Sequence, residues 1–402
     1  MTMISDLSEN LVQEILSRVP MTCLIAVRCT CKRWNALSSG LSKYGILCKA
    51  EARQQFLGFM INNYKMCSMR FDLHGILNEE GEEFVDPSIK EIEYSFLEKV
   101  NIYEIFHCDG LLMLSLTRKE GKSRRLVVWN PYLGQTKLIK PRTSYHSQDR
   151  YALGYDNKSR NHKILRFLEY LRYGTKHVFE FEIYDFSSDS WRVLGINPCW
   201  DIESHQRGQT LKGNTYFIAN ENIGPPEELL GGGPEEIDET PDFLICFDFT
   251  SESFGKFLPL TFHHYVDDTR TLSSLTDEKL AALYKGLDKP EVEVWVTSRI
   301  EPDAVSWIPF LKVNLDHFNF YGGSFFIDEE KKLAVVFDSH YEADQSICYQ
   351  TAYVIPENGD LKKVHIGESV MNCCPLLCSY VPSLVQIQPI TRGKRKSKRE
   401  SR

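Results

Sequence analysis

The sequence predicts an α+β chain of more than one domain, with a small helical unit at the N-terminus and a much larger, mainly β body after it. Three observations carry this. Apolar residues recur at helical spacing through the first forty residues. From Cys67 onward, short runs rich in Val, Ile, Phe, Tyr and Trp are separated by Gly, Pro, Asn and Asp. Within those runs one strand–turn–aromatic pattern returns along the chain.

The helical unit spans Asp6 to Gly40. Asp6 or Ser8 can cap a first helix, and Asp6 has Glu9 three residues on, the spacing of a capping box. Leu11, Val12, Ile15, Leu16 and Val19 fall on one face, with Asn10, Gln13, Glu14 and Ser17 on the other. Glu14 and Arg18 form a favourable i,i+4 pair. Pro20 ends the helix by restricting Val19. Thr22 can cap a second helix, whose narrow stripe is Cys23, Leu24, Val27, Cys31 and Trp34. Ser38, Ser39 and Gly40 close it. A unit of about 40 residues is near the lower limit for folding alone. Ile25 and part of the two stripes stay uncovered, so either the body or another protein must bury them.

This stretch resembles the F-box. The matching residues are Leu7, Ser8, Leu11, Ile15-Leu16, Arg18, Val19-Pro20 and the closing Cys31-Lys32-Arg33-Trp34. Ser8 stands where Pro is usual and Val19 where Leu is usual. The resemblance implies docking on a Skp-type adaptor protein, which bridges to a cullin and a RING subunit. Carried over position by position, the implied contacts are Leu7, Leu11, Ile15, Leu16, Pro20, Leu24, Val27 and Trp34. Residues 1–44 form the expected F-box domain and 45–65 a connector, in which Lys49–Phe59 can make one more helix.

The body is expected over 66–386. Its strand-like runs are 66–73, 110–116, 125–130, 162–170, 178–186, 214–220, 242–249, 292–298, 324–328, 332–339 and 351–356. Many short strands argue for a sandwich, barrel or propeller. Repetition favours the propeller: Tyr184–Trp191 returns as Phe247–Phe254, and Val128–Thr136 has the same form. The polar anchors Asn130, Asp185 and Asp248 lie 55 and 63 residues apart. Blade periods are usually ~40–50, so insertions between blades are expected. Thr276–Leu287 has helix propensity, yet Leu280–Tyr284 reads better as a strand within this pattern.

The body also resembles the kelch-like F-box-associated region of the large plant F-box family. The residues are Cys108-Asp109-Gly110-Leu111-Leu112, Trp129-Asn130-Pro131, Leu153-Gly154-Tyr155-Asp156, Tyr184–Trp191, Val294-Trp295-Val296, Val305-Ser306-Trp307 and Tyr380–Leu384, in that order. Gly322-Gly323 alone matches the kelch double glycine, which leaves blade number open.

Charge is uneven along the 402 residues. Net charge is −8, but Arg392–Arg402 holds seven basic residues and one Glu, so the tail carries +6 and the remainder −14. An acidic surface argues against nucleic-acid binding. Residues 387–402 form a basic tail suited to nuclear import or an electrostatic contact. Residues 221–242 form an acidic Gly/Pro loop, and Gly231-Gly232-Gly233 lacks the Gly-Lys-Ser/Thr of a phosphate loop. The 12 cysteines have no zinc-finger or C-x-x-C spacing and read as reduced thiols of a nuclear or cytoplasmic protein, with the Cys373-Cys374-Cys378 cluster a weak metal candidate. No apolar run approaches the ~18 residues of a membrane span.

Motifs of covalent catalysis, zinc proteases and nucleotide binding are absent. Ser188-Asp189-Ser190-Trp191 is a partial sialidase-type Asp box without its Gly. The expectation is a non-catalytic adaptor, without cofactor or metal, whose body holds a protein target for ubiquitination. The alternative is a protein- or glycan-binding scaffold outside a ligase.

Overall fold

The computed structural model describes Leu11 and residues 55–387, apart from 73–87, 120–122, 147–148, 173–175, 204–205, 222–241, 262–268, 277, 287–288, 315–323, 342–347, 358–360, 370–374 and 384. The first blade contains β1 (Gln55–Asn62), β2 (Lys65–Asp72) and β3 (Ser88–Glu91). Blade two is β4 (Val100–Cys108), β5 (Leu111–Arg118), β6 (Arg124–Asn130) and β7 (Gln135–Ile139). Blade three is β8 (Arg150–Tyr155), β9 (His162–Arg172), β10 (Lys176–Asp185) and β11 (Ser190–Leu194). Blade four has β12 (Trp200–Asp201), β13 (Gln209–Leu211), β14 (Asn214–Glu221), β15 (Phe243–Asp248), β16 (Ser253–Phe254) and β17 (Leu258–Pro259). Blade five is β18 (Thr269–Thr276), β19 (Lys279–Lys285), β20 (Glu291–Glu301) and β21 (Ala304–Asn314). Blade six is β22 (Ser324–Asp328), β23 (Leu333–Tyr341), β24 (Cys348–Pro356) and β25 (Lys362–Ser369).

The last strand, β26 (Leu376–Ser379), returns to blade one and pairs antiparallel with β1, Ile61 opposite Leu376 and Gly58 opposite Ser379. Innermost strands β26, β4, β8, β13, β18 and β22 then touch in a closed ring. The body is therefore a six-bladed propeller closed by its own C-terminal strand.

Each space between neighbouring blades is an apolar cluster. Side chains alternate across a strand, so a middle strand feeds two clusters at once. In β5, Leu111 and Met113 pack toward blade three, while Leu112, Leu114 and Leu116 pack toward blade one. In β23, Ala334 and Val336 face blade five, and Leu333, Val335 and Phe337 face blade one. Trp129 sits at the blade one–two seam against Phe59, Tyr94 and Phe96, with ring centroids 5.7, 5.0 and 5.5 Å away.

The same geometry corrects one expectation. The helix considered over Lys49–Phe59 gives way at Gln55 to β1, inside the stretch expected as connector. Met60 is buried on the blade-six side and Phe59 and Ile61 on the blade-two side. Burial on alternating sides requires extended backbone. Lys279–Lys285 is a strand, as the pattern around Leu280–Tyr284 suggested, with Leu280 to Tyr284 all buried.

The anchors Asn130, Asp185 and Asp248 occupy the same turn in blades two, three and four. Each side-chain oxygen accepts a backbone N–H: Leu133 at 2.9 Å, Ser187 at 2.8 Å and Thr250 at 2.7 Å. Four residues after each anchor the backbone turns left-handed, at Gly134, Asp189 and Glu252. Asp156–Arg160 and Asp328–Lys332 repeat the turn between inner strands and their neighbours. The long intervals between anchors therefore come from long connections at the opposite ends of the strands.

Candidate functional site

Strand direction divides the propeller into two faces. Inner strands run toward the face of tight turns, where Asp109-Gly110, Lys212-Gly213 and the five anchored turns lie. The connections between blades, and those joining second to third strands, leave from the other face. That long-loop face anchors both ends of the acidic stretch, at Glu221 closing β14 and Phe243 opening β15. β1 starts on the tight-turn face, where β26 also ends. There Tyr380 Oη donates to Gly110 O at 3.4 Å, and Asn130 Nδ2 donates to Ser383 O and Val385 O at 3.1 and 2.7 Å. Gly110 has φ +74° and no room for a Cβ, which would lie 2.5 Å from that of Ser383. Both chain ends of the propeller therefore leave through the tight-turn face.

Two buried ionic clusters hold connections of the long-loop face. Arg166 on β9 is fully buried; it donates to Asp149 at 2.9 Å, to Glu182 at 3.1 Å and to Ser144 O at 2.7 Å. Arg142 also donates to Glu182, at 2.6 Å, so the β7–β8 connection is stapled to blade three. Burial and the Asp149 carboxylate beside it push the Tyr151 hydroxyl far above its usual range. Arg270 on β18 pairs with Asp242 and, at 2.7 Å, with Glu203. This ties the base of the acidic stretch to blade five. Burial holds Asp242 well above the usual carboxylate range, against the pull of Arg270.

Along the axis is a cavity of about 50 Å³, with room for roughly three or four waters. Its walls include His107, Arg207, Thr271, Ser273, Ser274, Ser324, Cys378 and Ser379. Arg207 donates to Ser324 Oγ at 3.2 Å, and the hydroxyls of Ser274 and Ser379 are 3.4 Å apart. Burial pushes the Cys378 thiol up to about 12. The cavity is too small for a drug-sized ligand.

Of the F-box contacts expected from sequence, Leu11 is the one among the described residues. It is helical and 50% exposed. Leu7, Ile15, Leu16, Pro20, Leu24, Val27 and Trp34 lie outside the described residues, as do Cys373, Cys374, Gly322 and Gly323. Arg207 and the two ionic clusters were not anticipated. The clusters had a signal, a charge at an inward position of an apolar run, as in Ile164-Leu165-Arg166-Phe167 and Phe181-Glu182-Ile183. Arg207 in His205-Gln206-Arg207-Gly208 had none.

Two domain families match the chain. The F-box domain matches residues 4–44, and the F-box associated beta propeller domain matches residues 57–387. The chain belongs to the F-box family with an F-box-associated β-propeller. Among its relatives in Arabidopsis thaliana, At3g20030 is 55% identical over 100% of both chains. F-box protein At3g19880 is 49% identical over 98% of this chain and 96% of its own. F-box/kelch-repeat protein At3g13680 is 46% identical over 98% and 99%. Among solved structures, TolB from Acinetobacter baumannii covers 87% of this chain and 72% of its own at a TM-score of 0.43 and 13% identity, too loose a likeness to bear on function. An F-box joined to a β-propeller is the general plan of a substrate-recognition adaptor of Skp–cullin–F-box ligases. F-box proteins are in general non-catalytic subunits, and the F-box implies docking on a Skp-type adaptor and so on a cullin.

Proposed function

We propose that this F-box protein recruits a protein target to a Skp–cullin–F-box ubiquitin ligase through the long-loop face of its propeller. Residues 6–40 fold as two helices, and Leu7, Leu11, Ile15, Leu16, Pro20, Leu24, Val27 and Trp34 carry the adaptor contact. The domains are 1–44, a short connector, the propeller, which includes the buried Ile387, and a basic tail beyond it suited to nuclear import or to an electrostatic contact.

The observation that carries this reading is the tether. The F-box match ends at residue 44 and β1 begins at Gln55 on the tight-turn face. Ten intervening residues reach at most roughly 35 Å, so the F-box stays near that face. The long-loop face is then available to a target while the chain is docked. The mechanism is proximity: a held target lysine meets the ubiquitin thioester at high effective concentration. No side chain of this chain takes part in bond making.

Leu11→Asp combined with Ile15→Asp should abolish capture of a Skp-type adaptor and leave the circular-dichroism spectrum of the propeller unchanged. Undiminished capture would refute the assignment of that helix face. Ubiquitination of a trapped target that persists in the double variant would refute the ligase role.

A further inference from the structure

We infer that the axial cavity is an oxyanion site, in which Arg207 and a ring of hydroxyls hold a phosphate or carboxylate group. Arg207 precedes β13 in blade four, and its guanidinium reaches across to Ser324 of blade six. Its field also acts on Cys378 of blade one and Glu104 of blade two. The charge therefore lies near the axis and not within one blade.

Among the described residues lining the cavity, Arg207 is the one permanent charge. Ser273, Ser274, Ser324, Ser379 and Thr271 add hydroxyls from three further blades and can turn O–H groups inward. The Cys378 thiol stays neutral at physiological pH because burial raises its pKa to about 12. Glu104 stands behind the lining, 3.5 Å from Arg124; burial raises its pKa, while Arg124 and Arg207 pull it down. The His107 ring nitrogen accepts from the Gly110 N–H at 3.2 Å and is turned to the backbone. A partly enclosed, hydroxyl-rich space with a guanidinium in its wall favours an anion more strongly than the same groups would in water. The space for roughly three or four waters suits one tetrahedral or planar oxyanion.

A free anion and an acidic or phosphorylated side chain present the same chemistry. Should the group arrive on a recruited protein, the inference rests on the ligase reading as well.

The test uses the full-length chain with inorganic phosphate as probe, at ionic strength held constant with chloride. Broadening of the phosphorus NMR signal should saturate with the wild-type protein. It should weaken at least tenfold in Arg207→Gln and severalfold in Ser324→Ala, with Arg207→Lys in between. A wild-type protein that gives no saturable broadening overturns the site. So does Arg207→Gln with native circular dichroism and wild-type affinity. If Arg207→Gln fails to fold, undiminished affinity in Ser324→Ala overturns it. Displacement of phosphate by a phosphoserine peptide pool, but not by its dephosphorylated counterpart, assigns the oxyanion to a protein; displacement by neither assigns it to a free anion. Adaptor capture is scored separately, so the loss of either activity alone identifies which reading fails.

Discussion

Lys332 holds a left-handed backbone, φ 48°, at the turn position that Gly134 fills in blade two. A side chain there costs energy that glycine avoids. Lys332→Gly should raise stability by about 1 kcal/mol and Gly134→Ala should lower it by a similar amount, read as opposite shifts of the urea midpoint. The ion pair of Lys332 with Glu357 is exposed and contributes little against this. Burial holds His162 near a pKa of about 4, below its usual 6.5, despite Asp109 nearby. The unfolded chain then binds the proton more readily. Stability tied to His162 is complete above pH 6.5 and is lost as pH falls toward 4, on the order of 3 kcal/mol. His162→Gln should flatten that part of a stability–pH curve; an unchanged slope would remove His162 as its cause. Arg166→Met should cost about 3–5 kcal/mol in denaturant unfolding, because Asp149 remains buried without its cation and Glu182 keeps only Arg142. At this scale the sequence exposed the turn anchors, since Asn130, Asp185 and Asp248 stand in matching contexts. It did not expose partners such as Asp149 and Arg166, which only the fold brings together.

Among elements, legibility followed burial. β5, β6, β14, β15 and β23 lie between other strands and are covered on both sides, so their apolar runs are continuous. β13 and β18, read as Gln-Thr-Leu and Thr-Arg-Thr-Leu-Ser-Ser-Leu-Thr, line the polar axis and escaped notice. β7 and β11 lie at outer edges with much of their length in solvent, so the sequence marked their starts, after the repeated turns, but not their extent. β26 contributes only four residues, but ring closure depends on it. A chain ending at residue 375 leaves β1 with an open edge at the axis and should lose cooperative unfolding and aggregate. A single sharp thermal transition in that truncated chain would show that closure is dispensable.

For the whole molecule, the division of labour between faces makes the acidic stretch separable from the scaffold. Loop-closure cost changes slowly with length, so replacing 223–240 with a short Gly-Ser link should alter stability by no more than about 1 kcal/mol. Adaptor capture should be unaffected, because the F-box is tethered at the other face. A capture defect in this variant would contradict the two-face arrangement. The sequence identified both domains, whose motifs are local, but not the six blades, because unequal connections hide the period. Closure by the last strand also has a consequence during synthesis. The F-box leaves the ribosome more than 300 residues ahead of Leu376. At ordinary translation rates that is roughly half a minute. The adaptor-docking segment is thus made well before the propeller can close, and a message cut short near its end would yield a product with an F-box and an unclosed receptor for the target. Such a product would compete for the adaptor and deliver nothing.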